Sequence, residues 1–434
     1  MQAANALRRP NLWRQIVMFF SIIGPGIITA NADNDVGGIT TYSIAGAKFG
    51  YSMLWLLIPV TLALIVTQEM CARMGAVTGK GLADLIRENF GVRVTAIVLF
   101  LFVVSDLGNT AAEFAGIASA SPILQNYVPF LSKNVLVPAA AIFVFTAVTR
   151  GNYKIIERVF FVFCAIYIAY IVDAFLIKPA PPWGEITRAT LVPHFKPTSA
   201  YLLTAIGVIG TTISPWMQFY IQSAIVEKGV RIKEYGYSRI DVISGAVITD
   251  VIAFFIVVAS AATIYYTNTH LHAGQHPIAI NDAGDVAAAL AGFGKYASLL
   301  FAIGLLNAAV FTASILPLST AYYVCEAFGF ESGVENRFSQ APVFYGFYLS
   351  LIVLGAGFVL IPNAPLLATI FYSQVLNGVL LPVVLVLMLL LINNKRIMGT
   401  YTNGIAFNII AWATVVIVGL LTVVSTLQQV LQST

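Results

Sequence analysis

Eleven apolar stretches follow one another along this chain, at residues 15–47, 52–77, 92–119, 134–149, 154–177, 199–227, 238–266, 285–318, 341–361, 363–392 and 404–427. Roughly 20 apolar residues in a helix suffice to cross the hydrocarbon core of a bilayer. Lipid offers backbone N–H and C=O groups no partners, so such stretches fold as helices that satisfy their own hydrogen bonds. Composition agrees, because only 10% of the 434 residues are charged, against about 25% in soluble domains. The reading is an all-α polytopic membrane protein with eleven transmembrane helices, the fourth being the shortest. Ala83 to Phe90, between the second and third, is amphipathic and reads as an interfacial piece on a loop.

Two of the stretches are interrupted. In the first, Ala30-Asn-Ala-Asp-Asn-Asp-Val-Gly-Gly-Ile39 places Asp33 and Asp35 where the helix would cross the bilayer centre. Buried charge at that depth is costly and is tolerated beside a cavity or a partner. No Lys or Arg occurs from Gln15 to Ala47, so the simplest partner is an external cation. Gly37 and Gly38, poor helix formers, give the helix a place to open. The sixth stretch contains Gly207-Val-Ile-Gly-Thr-Thr-Ile-Ser-Pro-Trp216. Its proline removes a backbone N–H and disfavours helix at Ser214. Breaks at matching positions of two halves point to an inverted-repeat transporter with its site at the crossing. The halves are residues 15–177 and 199–392, with a lead-in at 1–14, a joining loop at 178–198, and an added eleventh span within 393–434.

Charge placement sets the orientation. Seventeen of the 23 Lys and Arg, among them Arg73, Lys80, Arg150, Lys228 and Lys395, fall in loops on one side, and six on the other. The richer side is expected to be cytoplasmic, with the N-terminus inside and the C-terminus outside the cell (inner) membrane. Met1 to Pro10 lacks a short apolar region with a cleavage site and reads as a cytoplasmic lead-in. Cys71, Cys164 and Cys325 suggest neither a disulfide framework nor a metal cluster. His194, His270, His272 and His276 all fall in outer loops, where solvation is the plainer reading than metal binding or proton relay.

Several blocks resemble the NRAMP family of divalent-metal transporters. They are Gly24-Pro-Gly26 followed by Asp35-Val-Gly-Gly38 and Gly46-Ala-Lys-Phe-Gly-Tyr51, and Gln68-Glu-Met-Cys-Ala-Arg-Met-Gly75 with Thr78-Gly-Lys-Gly-Leu82. Ile209-Gly-Thr-Thr-Ile-Ser-Pro215, Ser373-Gln-Val-Leu376 and Asn394-Lys-Arg-Ile-Met-Gly399 extend the likeness over nearly the whole chain. The resemblance implies a LeuT-type fold, an inverted 5+5 repeat with helices 1 and 6 broken. It puts Asp35 at the family's metal-binding aspartate and Gln374 at its tenth-span glutamine.

The departures carry as much information. Gly38 stands where the family has asparagine, and Ser214-Pro215-Trp216 where it has Met-Pro-His. A thioether selects softer transition metals, whereas carboxylate, carbonyl and water suit magnesium, calcium and manganese. Gly38 and Ser214 are also small, which predicts a roomier site for an ion that keeps part of its water shell, as magnesium does. This pattern resembles the NRAMP-related magnesium transporter branch. The family's Asp-x-x-Glu pair reads Thr110-Ala-Ala-Glu113, and the ninth span, Ala341 to Ile361, has no charged group. Most of a proton path is missing, so the expected flux is uncoupled.

Asp35 is the first candidate metal ligand, its plain alternative being a helix cap. Asp33 faces either the ion or a wet vestibule, and Asn34 either ligates through its carbonyl or caps the break. Ala32, Thr211 and Ile213 offer main-chain carbonyls. Ser214 lines the site or only forms the turn, and Gln374 reaches the ion or bonds between helices. Asp106, Glu113, Trp216, Gln218 and Asn377 are candidates for the ion pathway, though Asp106 and Glu113 equally suit pairing with polar neighbours such as Asn109. Thr212 bonds back to its own helix, Glu69 and Arg73 form a structural ion pair, and Asp173 and Asp250 are interior polar contacts. The expectation is a secondary transporter importing Mg²⁺, or Mn²⁺, as a partly hydrated substrate. Its surroundings are the lipid bilayer, with no cofactor, nucleic acid or obligatory protein partner. Alternatives are a carrier of a small cationic organic solute held against Trp216 and Tyr42, a proton-coupled Mn²⁺/Fe²⁺ transporter, and a sensor that does not transport. No nucleophile–base pair, phosphate loop or cofactor motif suggests an enzyme.

Overall fold

The computed structural model describes residues 32–150, 164–270, 277–278, 280, 283–334 and 336–433. The lead-in, the first half of the first span, the start of the fifth, His272 and His276 lie outside the described residues. Helices α1 (Val36–Phe49), α2 (Leu54–Thr78), α3 (Leu82–Gln125), α4 (Lys133–Arg150) and α5 (Ile168–Leu176) make up the first half. The short helix α6 (Trp183–Leu191) lies in the joining loop. The second half holds α7 (Ser199–Thr212), α8 (Pro215–Glu227), α9 (Tyr235–Ser260), α10 (Ala297–Phe328), α11 (Pro342–Leu360) and α12 (Leu366–Ile392), with α13 (Ile405–Ser433) added after it.

Among the described residues, nine stretches are long and apolar enough to cross a membrane. The first of these, Val36–Thr78, contains α1 and α2 joined through a 3-10 turn at Gly50–Met53. Both spans are interrupted, but the first opens at Asn34 and Asp35, while Gly37 and Gly38, read as the place for the helix to open, lie inside α1. Ala32 and Asp33 end a helical segment, Asn34 turns, and α1 starts after Asp35. The sixth span divides into α7 and α8 on either side of Ile213 and Ser214. The amphipathic Ala83–Phe90 piece forms the start of α3 and is set off from the spanning part at Gly91, whose φ of 81° lies in the left-handed region that glycine enters without steric cost.

The eighth span differs from its predicted range, 285–318. Residues Ala283–Tyr296 form a 3-10 segment broken at Leu290 and Gly294, and the α-helix proper runs from Ala297 to Phe328. The whole region is apolar, so hydropathy carries no mark of where the regular helix begins. Backbone geometry at Gly294 (φ 56°) sets it instead.

Helices α3 and α10 pack along each other through the middle of the bundle, with α12 against α3 and α7, and α9 against α1 and α2. The α7–α12 crossing brings backbone against backbone. A Cβ on Gly210 would run into the carbonyl of Gln374 and the N–H of Gly378, and one on Gly378 into the carbonyl of Ile206. Small residues permit such approach where dispersion, rather than water release, holds helices together.

The Glu69–Arg73 pair is structural, as its i,i+4 spacing suggests. Arg73 meets Glu69 at 3.0 Å and donates to the carbonyls of Tyr401 and Thr402 at 3.1 Å each. It also donates to Asn403 and lies 5.6 Å from the Phe407 ring centroid, while the Tyr235 hydroxyl donates to Glu69. One guanidinium thereby ties α2 to the segment entering α13. Arg73→Ala is expected to cost about 3 kcal/mol, because it leaves a buried carboxylate without its cation. Thermal unfolding of the purified variant checks this, and an unchanged midpoint would remove the tie.

Candidate metal site

Each broken helix ends in a way that its own residues dictate. Asp35, with φ −71° and ψ −173°, is the N-cap of α1, and its Oδ1 accepts the Gly38 N–H at 2.6 Å. Capping engages only one carboxylate oxygen, and each carboxylate has two. The side chain interacts directly with Glu113, which reaches it from α3. Asp35 is therefore both a cap and a member of an acid pair.

At the second break, Pro215 has no N–H to offer the Thr211 carbonyl. The Ser214 hydroxyl turns back to Gly210 O at 2.8 Å and Thr211 O at 3.3 Å, and its oxygen accepts from Asn377 at 3.1 Å. Its proton is committed to closing the turn. Ile213, at φ −118° and ψ 56°, leaves the helical conformation entirely.

Gly38 does not make the site roomier, contrary to the expectation from its size. The position a Cβ would take there is occupied by the Asp33 carbonyl. A main-chain oxygen fills space that a side chain would otherwise claim. Gly37 is pinned in the same way by the Gln374 amide, which brings the tenth span onto the first break. Gln374 and Asn377 join Asn109 and Ser105 in one network: Ser105 and Asn109 donate to Asn377 Oδ1 at 2.9 and 2.8 Å, and Asn377 donates to Gln374 Oε1 at 3.1 Å. These amides hold α3, α12 and the sixth-span break together.

The Asp33 carboxylate is left without a donor. Neither oxygen of Asp33 and neither polar atom of Asn34 has a hydrogen-bond partner, although both side chains are fully buried, and the equally buried Glu113 is met by Asp35 and the Val36 N–H. The nearby hydroxyls do not help. Thr212 donates to Val208 O at 2.8 Å, so the 2.6 Å contact between Tyr42 and Thr212 uses the tyrosine proton. Buried carboxylates with no donor and no base require a proton or a cation to be tolerated. Among the described residues no three His, Cys, Asp or Glu side chains form a ready metal cluster. A bound ion would therefore complete its shell with carbonyls, Asn34 and water.

The other sequence candidates sort cleanly. Ala32, Asp33, Asn34, Asp35, Gly38 and Glu113 converge at the first break, with Gln374 above Gly37. Asp106 accepts from Thr320 at 2.7 Å and Tyr323 at 2.9 Å, with Asn109 as a further hydrogen-bond partner. Gln218 donates to Ser214 O at 3.4 Å and accepts from the Cys71 thiol at 3.7 Å. Trp216 belongs to an apolar cluster with Ala32, Met217, Tyr220 and Phe311. Sequence reasoning passed over Met217, whose thioether enters this cluster beside the first break. It also passed over Asp250 as a neighbour of Asp33 and Tyr42. The signal was present: no Lys or Arg occurs from Ile240 to Tyr265, the same absence that marks Asp35.

The chain is 28% identical over 417 residues to a divalent metal cation transporter MntH of Ralstonia nicotianae, covering 92% of this chain and 88% of the relative. It is 27% identical over 411 residues to the metal transporter Nramp3 of Arabidopsis thaliana, covering 93% and 78%. A crystal structure of the Eremococcus coleocola manganese transporter matches with a TM-score of 0.73 at 20% identity, over 98% of this chain and 88% of that one. A structure of MhsT with L-phenylalanine matches at 0.61 and 14% identity, over 93% and 97%. These likenesses establish the LeuT-type fold. The profile of the natural resistance-associated macrophage protein-like (Nramp) family matches residues 26–428, and the chain belongs to that family.

Proposed function

We propose that this protein is a secondary transporter that imports hard divalent cations, Mg²⁺ first, across the cell (inner) membrane by alternating access. The observation that carries this reading is the pair of unpartnered, fully buried side chains at the first break, Asp33 and Asn34, with the buried acid pair of Asp35 and Glu113 beside them. Oxygen is their only ligand chemistry, which suits magnesium and manganese. An ion arriving with part of its water shell would fill the positions that the protein leaves open. The matched relatives carry divalent-metal and manganese names, in keeping with the class of cargo. Manganese is the second reading, favoured by Met217, whose cluster includes Ala32 and whose sulfur suits the softer of the two ions.

The Arg73 end of the bundle is assigned to the cytoplasm from its excess of Lys and Arg, leaving the end of α13 outside. Flux is proposed to be uncoupled from protons, since Asp106 is engaged by Thr320 and Tyr323 and the ninth span holds no charged group. Proteoliposomes carrying an internal pH dye test all of this together. Mg²⁺ and Mn²⁺ should both enter down their gradients without acidifying the lumen. Acidification that tracks ion entry would reject uncoupled flux, and no entry of either ion would reject the transport reading.

A further inference from the structure

Asn377, a pathway candidate by sequence, has no polar atom left over for an ion. It is buried in α12. Its Oδ1 accepts from Ser105 at 2.9 Å and from Asn109 at 2.8 Å, which uses both lone pairs of an amide oxygen. Its two N–H hydrogens face three acceptors at 3.1 Å each: Asn109 Oδ1, Ser214 Oγ and Gln374 Oε1. Ser214 fixes which way this amide points. The serine proton goes to Gly210 O at 2.8 Å, so its oxygen is an acceptor that only the nitrogen of Asn377 can serve. Asn109 then pairs reciprocally, its N–H on Asn377 Oδ1 and its own Oδ1 under the Asn377 N–H. Backbone packing holds this register. Gly378, next in the chain, lies against Ile206 O, and Gly210, one turn before Ser214, lies against Gln374 O. Asn377 therefore bonds both to the residue that closes the second break and to Gln374, whose amide packs on Gly37 in the first turn of α1.

We propose that Asn377 is a positioning residue of the metal site: it touches no ion, and through Ser214 it fixes the second break, with the Thr211 and Ile213 carbonyls, against the start of α1. The inference rests on the metal reading above. Pro215 leaves the Thr211 carbonyl without its helical N–H, and the Ser214 hydroxyl reaches that carbonyl only at 3.3 Å. The turn is held from outside its own helix, by the Asn377 N–H. Members of a buried hydrogen-bond network depend on one another, so a change at Asn377 shifts the break without removing a ligand.

The test is the Mn²⁺ affinity of the purified full-length protein in nanodiscs, with free Mn²⁺ read by electron paramagnetic resonance, alongside the thermal midpoint of the metal-free protein. Asn377→Leu, close in size, removes the amide, and Kd should rise about tenfold, the net worth of a hydrogen bond or two. Ser214→Ala should raise Kd by a similar factor. Because the two residues act along one contact, the double variant should also show about a tenfold rise, where independent sites would multiply. A purely structural role would lower the midpoint and leave the Kd of the folded protein unchanged. Asn377→Ala takes the place of the leucine variant if that one does not fold. An unchanged Kd in the Asn377 variant or in Ser214→Ala overturns the inference, and so does a multiplicative rise in the double variant. Wild-type protein that binds no Mn²⁺ would instead reject the metal reading on which this one rests.

Discussion

Asp35→Asn is expected to abolish divalent-cation transport while leaving the metal-free protein at least as resistant to heat as the wild type. The two effects separate because asparagine caps a helix about as well as aspartate does, so the bond to Gly38 survives. What is lost is one charge of a buried acid pair. Losing a charged ligand contact of about 2–3 kcal/mol weakens binding by roughly 30- to 150-fold. The same substitution relieves the repulsion between Asp35 and Glu113, which interact directly with no base between them. Glu113→Gln should behave alike. Thermal shift measures both halves: at Mn²⁺ near 100 times Kd, a ligand stabilises its protein by about 2.7 kcal/mol, and the variants should lose that increment. If Asp35→Asn kept the full metal-dependent shift, Asp35 would be a cap and nothing more.

The second large effect lies in packing. Gly378→Val should yield little folded protein, because the side chain would enter the Ile206 carbonyl and Ile206 side chain across the α7–α12 crossing. Overpacking a tight core contact costs about 1–3 kcal/mol and occasionally more, and here the obstacle is main chain, which cannot turn aside. Gly207→Ala on α7, the partner helix of that crossing, is the control. A Cβ there meets only Thr41, Val375 and Phe371 side chains at 3.4–3.6 Å, an ordinary contact, so it should fold normally. Size-exclusion profiles of the two variants decide the point, and equal yields would mean that the crossing is looser than its geometry.

Neither variant could have been chosen from hydropathy. Gly207, Gly210 and Gly378 look alike as apolar-span glycines in the sequence, and only the crossing of α7 with α12 shows which of them faces backbone. Ser214 is similar. Its position before Pro215 predicted a turn, but not that its hydroxyl would be committed to Gly210 O and joined to Asn377. Gly38 reversed its expected meaning, since the missing side chain is replaced by the Asp33 carbonyl.

Local chemistry was nevertheless enough for a good deal. An interruption in the first span, the Ser214-Pro215 break, the capping capacity of Asp35 and the i,i+4 pairing of Glu69 with Arg73 all depend on residues close together in the chain. Those features emerged as read. The neighbours of an acid do not share that dependence. That Glu113 from α3 meets Asp35 and that Asp106 turns to α10 are decided by how helices cross. A sequence states which charges must be compensated inside the bilayer, and helix packing alone decides which of them share a compensating ion.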